Sequence, residues 1–107
     1  METRTVSGQY RLDPNAGRFF GARTLHFRQI ESGVLGRFGR HGTLKGAMDA
    51  GVLRARWKND ARMGWVILRF DERFSGFQGE YGTYDVRAET ELAGTISARR
   101  DVRKRPA

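Results

Sequence analysis

Shifted by 43 residues, this chain overlies itself. Residues 21–39, GARTLHFRQIESGVLGRFG, fall on residues 64–82, GWVILRFDERFSGFQGEYG. Gly21 and Gly64, Leu25 and Leu68, Phe27 and Phe70, Ser32 and Ser75, Gly33 and Gly76, Gly36 and Gly79, and Gly39 and Gly82 are identical pairs, and Phe38 meets Tyr81. The same shift aligns Gly8, Gly51 and Gly94, and sets GVLRAR at 51–56 against GTISAR at 94–99. A fixed internal period marks a repeated supersecondary unit that buries its apolar face against its copy. Units at about 8–50 and 51–93, with a closing strand at 94–99, account for most of the 107 residues. That length supports one domain with a core and is too short for two.

Within each unit the hydrophobic period is two. Leu25 and Phe27 alternate with His26 and Arg28, Leu53, Ala55 and Trp57 with Arg54 and Arg56, and Val66, Leu68 and Phe70 with Ile67 and Arg69. One apolar side on a two-residue period is the signature of a half-buried antiparallel strand. Turn chemistry separates the runs: DPNAG at 13–17, ESG at 31–33, RHG at 40–42, DAG at 49–51 and KNDAR at 58–62. No stretch holds apolar residues at helical spacing long enough for an amphipathic helix. The expected strands are 5–12, 22–30, 33–39, 42–48, 51–57, 64–71, 75–82 and 91–99, with a candidate ninth at 84–89. Short links favour a meander, and about eight such strands can close and so remove their exposed edges. The expected fold is therefore all-β: a single-domain antiparallel up-and-down β-barrel over residues 1–100, followed by a basic flexible tail at 101–107. The rival arrangement, two propeller-blade-sized units, requires an oligomer to close.

The repeated GxxGx[FY]G motif spaces its glycines by three, which alternates their faces on a strand, so they cannot all line one cavity. It predicts a corner of a tightly coiled strand, with Phe38 and Tyr81 filling equivalent layers. A phosphate-cradling loop is excluded because neither a helix start nor a lysine follows.

SGQY at 7–10, RWKND at 56–60 and FSGFQGEYG at 74–82 together resemble the calycin group of small meander barrels, which includes lipocalin-like and avidin-like proteins. Avidin-like chains carry a Trp-Lys-Asn segment similar to Trp57-Lys58-Asn59. The resemblance implies an eight-stranded barrel with a ligand site at one mouth. Biotin binders set several tryptophans around their ligand, whereas this chain has only Trp57 and Trp65. The resemblance therefore reaches the fold and not that activity.

Catalytic chemistry finds no foothold. Cysteine is absent, the two histidines (His26 and His41) are far apart, and neither an HExxH motif nor a Ser-His-Asp order is present. His26 is expected on the surface and His41 in a turn. Asp71, Glu72, Glu80, Asp85, Glu89 and Glu91 read as solvated loop and turn charges rather than a glycosidase pair. The expectation is a non-enzyme with no cofactor and no metal. Lack of cysteine, of an apolar leader and of any run of about eighteen apolar residues points to a cytoplasmic protein without a membrane partner.

The formal net charge is +8, carried by seventeen arginines and three lysines. Such a balance draws polyanions, although an arginine skew is also what a GC-rich genome produces. Three readings follow. The first is a binding module for a small apolar or amphipathic ligand, or a protein partner, at a barrel mouth lined by Tyr10, Phe27, Trp57, Phe70 and Tyr81. The second is a nucleic-acid or other polyanion binder using Arg54, Arg56, Arg69, Arg99, Arg100, Arg103, Lys104 and Arg105. The third is an assembly subunit or homo-oligomer joined through an outward Trp65–Ile67 patch.

Overall fold

Alternation produces strands where it was expected to. In the computed structural model, which describes residues 5–13, 23–60, 62–83 and 93–100, they are β1 (Gly8–Leu12), β2 (Thr24–Ile30), β3 (Gly33–Phe38), β4 (Gly42–Asp49), β5 (Val52–Lys58), β6 (Met63–Phe70), β7 (Gly76–Thr83) and β8 (Ala93–Arg100). Each pairs antiparallel with the next, and β1 pairs with β8 through Tyr10↔Arg100, Arg11↔Arg99 and Leu12↔Ala98. The result is a closed eight-stranded up-and-down barrel. The candidate ninth strand at 84–89 and the tail at 101–107 lie outside the described residues.

β1 starts three residues later than its apolar pattern suggests. Residues before Gly8 leave the ladder and bond to a side chain instead: Val6 N–H donates to Gln29 Oε1 at 2.9 Å, and Gln29 N–H donates to Ser7 Oγ at 2.9 Å. Val6 is thereby fully buried.

Inside the barrel, each cross-strand belt mixes large side chains with glycine. One belt runs Phe27, Gly36, Leu44, Trp57, Gly64 across β2 to β6. The next runs Val34, Gly46, Ala55, Val66, Tyr81, Gly94 across β3 to β8. A third runs Leu53, Leu68, Gly79, Ile96. Each glycine leaves room that a neighbour occupies. A Cβ on Gly64 would lie 1.8 Å from the Gly82 carbonyl oxygen and 2.7 Å from Trp57 Cζ2, and one on Gly79 would lie 1.9 Å from the Ile67 carbonyl oxygen. Closing eight strands around side chains this large demands such close approach of backbone to backbone. Trp57 is the largest fully buried side chain, and its indole N–H donates to the Trp65 carbonyl at 3.0 Å. Burial of a side chain of this size contributes about 3 kcal/mol, and its hydrogen bond removes the penalty of hiding a polar atom.

An aromatic cluster fills one end. Tyr10 sits 5.5 Å from Phe27, 5.6 Å from Phe70 and 5.5 Å from Phe77, measured between ring centroids. The Arg100 guanidinium lies 5.6 Å over the Tyr10 ring and donates to the carbonyls of Ser7 and Thr5. Because Arg100 belongs to β8 and Ser7 precedes β1, this contact fastens the seam where the barrel closes. Below it, the turn after β6 is built on Asp71, whose carboxylate accepts from the N–H of Arg73 at 3.1 Å, the N–H of Ser75 at 2.8 Å and the Ser75 hydroxyl. Those donors, the hydroxyl foremost, hold the Asp71 pKa below the ordinary aspartate value.

Candidate polyanion-binding face

The parity that sends Phe27, Leu44 and Trp57 inward sends their neighbours outward, and the register decides who stands beside whom. On the outer wall one belt crosses β2 to β7 as Arg28, Leu35, Lys45, Arg56, Trp65, Gly82. The belt beside it crosses β2 to β6 as His26, Arg37, Thr43, Lys58, Met63. A third contributes Ala47, Arg54 and Ile67 before it reaches Glu80. The second belt and Arg28, Leu35, Lys45 and Arg56 of the first line an open groove of about 870 Å³, to which Phe27, Leu44 and Trp57 also contribute. A second depression, about 490 Å³, continues it over β4 to β6 and shares Lys45 and Arg56 with it.

The charge on this face has one sign. Arg28, Arg37, Lys45, Arg54, Arg56 and Lys58 are all exposed, and among the described residues none has an acidic partner. Across β2 to β5 the only carboxylate is Asp49, at the end of β4. Lys45 and Arg56 are directly opposed in the ladder, an arrangement that costs a few tenths of a kcal/mol to 1 kcal/mol in a sheet. Two apolar side chains lie among the cations in the groove: Leu35, 47% exposed, and Met63, 57% exposed. A surface that tolerates facing like charges and bare apolar groups is poorly arranged for stability alone and well arranged for an extended anion with apolar parts.

The residues singled out in the sequence divide between this face and other places. Arg54 and Arg56 stand on it. Arg69 does not act as an unpaired cation: its guanidinium forms a two-point pair with Glu80 across β6 and β7, at 2.9 and 3.2 Å. Arg99 is exposed on β8, and Arg100 is engaged at the barrel seam. Arg103, Lys104 and Arg105 lie outside the described residues. Arg28, Arg37, Lys45 and Lys58 join the set although sequence reasoning passed over them. The signal was present in the outward position that each takes in its own strand, but only the register shows that those positions are neighbours.

Tyr10, Phe27, Trp57, Phe70 and Tyr81 all point into the barrel, as their parity required. Tyr10, Phe27 and Trp57 are buried, Phe70 and Tyr81 partly so, and Phe70 packs on Tyr10, Phe27 and Phe77. Burial, partly offset by Arg100, raises the Tyr10 pKa, and its hydroxyl donates to the Phe74 carbonyl at 3.2 Å. The Trp65–Ile67 pair points outward, but both side chains are half-buried rather than exposed. His26 is exposed, and His41 stands in its turn with Nε2 3.8 Å from Asp60 Oδ2.

No protein-family model, no curated protein and no solved structure matches this chain. The barrel architecture therefore rests on its own strand pairing.

Proposed function

We propose that this barrel is a non-catalytic binding module for polyanions that takes nucleic acid along the outer face of β2 to β6. One observation carries the reading: six exposed cations, none with an acidic partner among the described residues, share a single face, and two of them are directly opposed. Composition bias explains many arginines but not their segregation from carboxylates. Lys45 and Arg56 stand on strands whose backbones are about 4.8 Å apart, and with the cations around them they offer counter-charge to a phosphate backbone. Thr43 and His26 add hydrogen-bonding groups, and Leu35 and Met63 add apolar contact for sugars or base edges. An acidic protein would match the sign of the charge equally, but exposed apolar groups threaded between cations suit a repeating anionic chain better.

The test is retention and solution binding as a function of salt. Fluorescently labelled oligonucleotides should bind with an affinity that falls steeply as salt rises from about 50 to 200 mM, because each phosphate contact contributes about 0.7 to 0.9 to the log–log slope. Replacing Arg28, Arg37, Lys45 and Lys58 together with serine should abolish binding while the far-ultraviolet spectrum stays that of the wild type. Salt-independent elution, or undiminished binding by the folded quadruple variant, would remove this reading.

A further inference from the structure

The middle outer belt does not end in another charge; after Arg28, Leu35, Lys45 and Arg56 it ends in Trp65 and then Gly82. Trp65 is the one phenyl or indole ring that parity turns outward on the described strands. Its pose follows from its neighbour. A Cβ on Gly82 would lie 2.6 Å from both Cε2 and Nε1 of the Trp65 ring and 2.7 Å from Cζ2, so the indole lies down over the bare glycine backbone. The Trp65 backbone is fixed too, since its carbonyl accepts the buried Trp57 indole N–H. One edge of the ring meets β7, and on the other side stand Arg56, directly opposite on β5, and Lys45 one strand further. The ring remains half-buried, and with Arg54, Arg56 and Lys45 it lines the second depression.

Building on the proposed polyanion reading, we infer that the preferred ligand is single-stranded nucleic acid, with one base stacked on Trp65 and the flanking phosphates held by Arg56 and Lys45. A flat indole beside cations that have no acidic partner among the described residues matches the two things an unpaired nucleotide offers: a π-face and a charge. A duplex keeps its bases stacked inside, so it can use only the cations. The glycine partner makes the platform, because any side chain at position 82 would lift the ring.

The two tryptophans make the test direct. Trp57 is 1% exposed but lines the neighbouring groove, so the part of the emission change that disappears in Trp65→Ala is what reports Trp65. Oligothymidylate should quench the emission saturably, inorganic polyphosphate should bind without quenching, and duplex DNA of equal length should bind more weakly than the single strand. Trp65→Ala should lower oligothymidylate affinity about tenfold or more while polyphosphate affinity stays unchanged, and Trp65→Phe should restore most of the loss. Binding of oligothymidylate without quenching, or equal loss of both ligands in Trp65→Ala, would overturn the stacking platform and leave the polyanion face standing. A dimer in light scattering that Trp65→Arg dissolves would assign the ring to self-association instead. Failure of polyphosphate and oligothymidylate alike to bind the wild type would remove the underlying reading itself.

Discussion

Lys45 and Arg56 offer the sharpest perturbation, because stability and binding should move in opposite directions. Their Cα atoms are paired across β4 and β5, and neither has an acidic neighbour among the described residues. Arg56→Glu converts a facing repulsion into a facing attraction. Cross-strand pairs of this kind differ by roughly 0.5 to 1 kcal/mol at low salt, screened as salt rises. For a domain of this size that corresponds to a rise in Tm of about 3 to 6 °C. The same change removes one phosphate contact of six and adds a repelling charge. With a slope of about −0.7 per contact on a single strand, the log–log salt dependence should fall from about −4.2 to about −3.5, with at least a tenfold loss of affinity at low salt. Thermal melts in 20 mM and 300 mM salt, paired with anisotropy titrations against a labelled oligonucleotide, read both quantities from one preparation. Arg99→Glu, an equal charge change on β8, controls for net charge and should disturb binding less. Should Arg56→Glu destabilise the barrel, or should it and Arg99→Glu weaken binding equally, the argument from local charge opposition is wrong.

The remaining predictions concern the scaffold. Gly79→Ala should cost about 3 kcal/mol in chemical denaturation, since its methyl would meet the Ile67 backbone; Gly39→Ala, with open space around it but φ of 60°, should cost only about 1 kcal/mol. Ala50 and Gly51 both take positive φ, 51° and 79°, between β4 and β5, the pattern of a type I′ hairpin, so Ala50→Asn should raise stability by about 0.5 kcal/mol in the same assay. Asp71 has a depressed pKa in the folded state, so its contribution is complete above the ordinary aspartate value and is lost as the pH falls through the folded value. Asp71→Asn should therefore lower Tm at neutral pH and flatten its decline in acid, measured by melts along a pH series.

Strand existence was legible because alternation needs no partner to be recognised: each of the eight expected runs is a strand of the barrel. Closure was legible through the likeness of residues 51–56 and 94–99, which marked the last segment as a strand able to meet the first. Leu25 and Leu68 both face inside, as do Gly36 and Gly79, whereas Gly39 lies in a turn and Gly82 within β7. The site was much less legible. Period two says that Arg28, Arg37, Lys45, Arg56 and Lys58 face outward, but not that they are adjacent, because adjacency is a matter of register. Register is also what reassigns Arg69. Eleven residues separate it from Glu80 in sequence, and the hairpin brings their side chains within hydrogen-bonding reach. Trp65 and Ile67 do project outward as alternation requires, but alternation does not see the vacant Gly82 over which the Trp65 ring lies half-buried.

Pairing of β1 with β8 has a consequence for how the protein is made. The first ribbon to leave the ribosome keeps an unsatisfied edge until the last one arrives, some ninety residues later, so its hydrogen bonds wait on the most distant partner available. Arg100 reaching back to the Ser7 and Thr5 carbonyls acts as a latch on that final step. A chain shortened before β8 would be left ajar, with β1 and β7 as two open edges and a tendency to find the missing neighbour in another molecule.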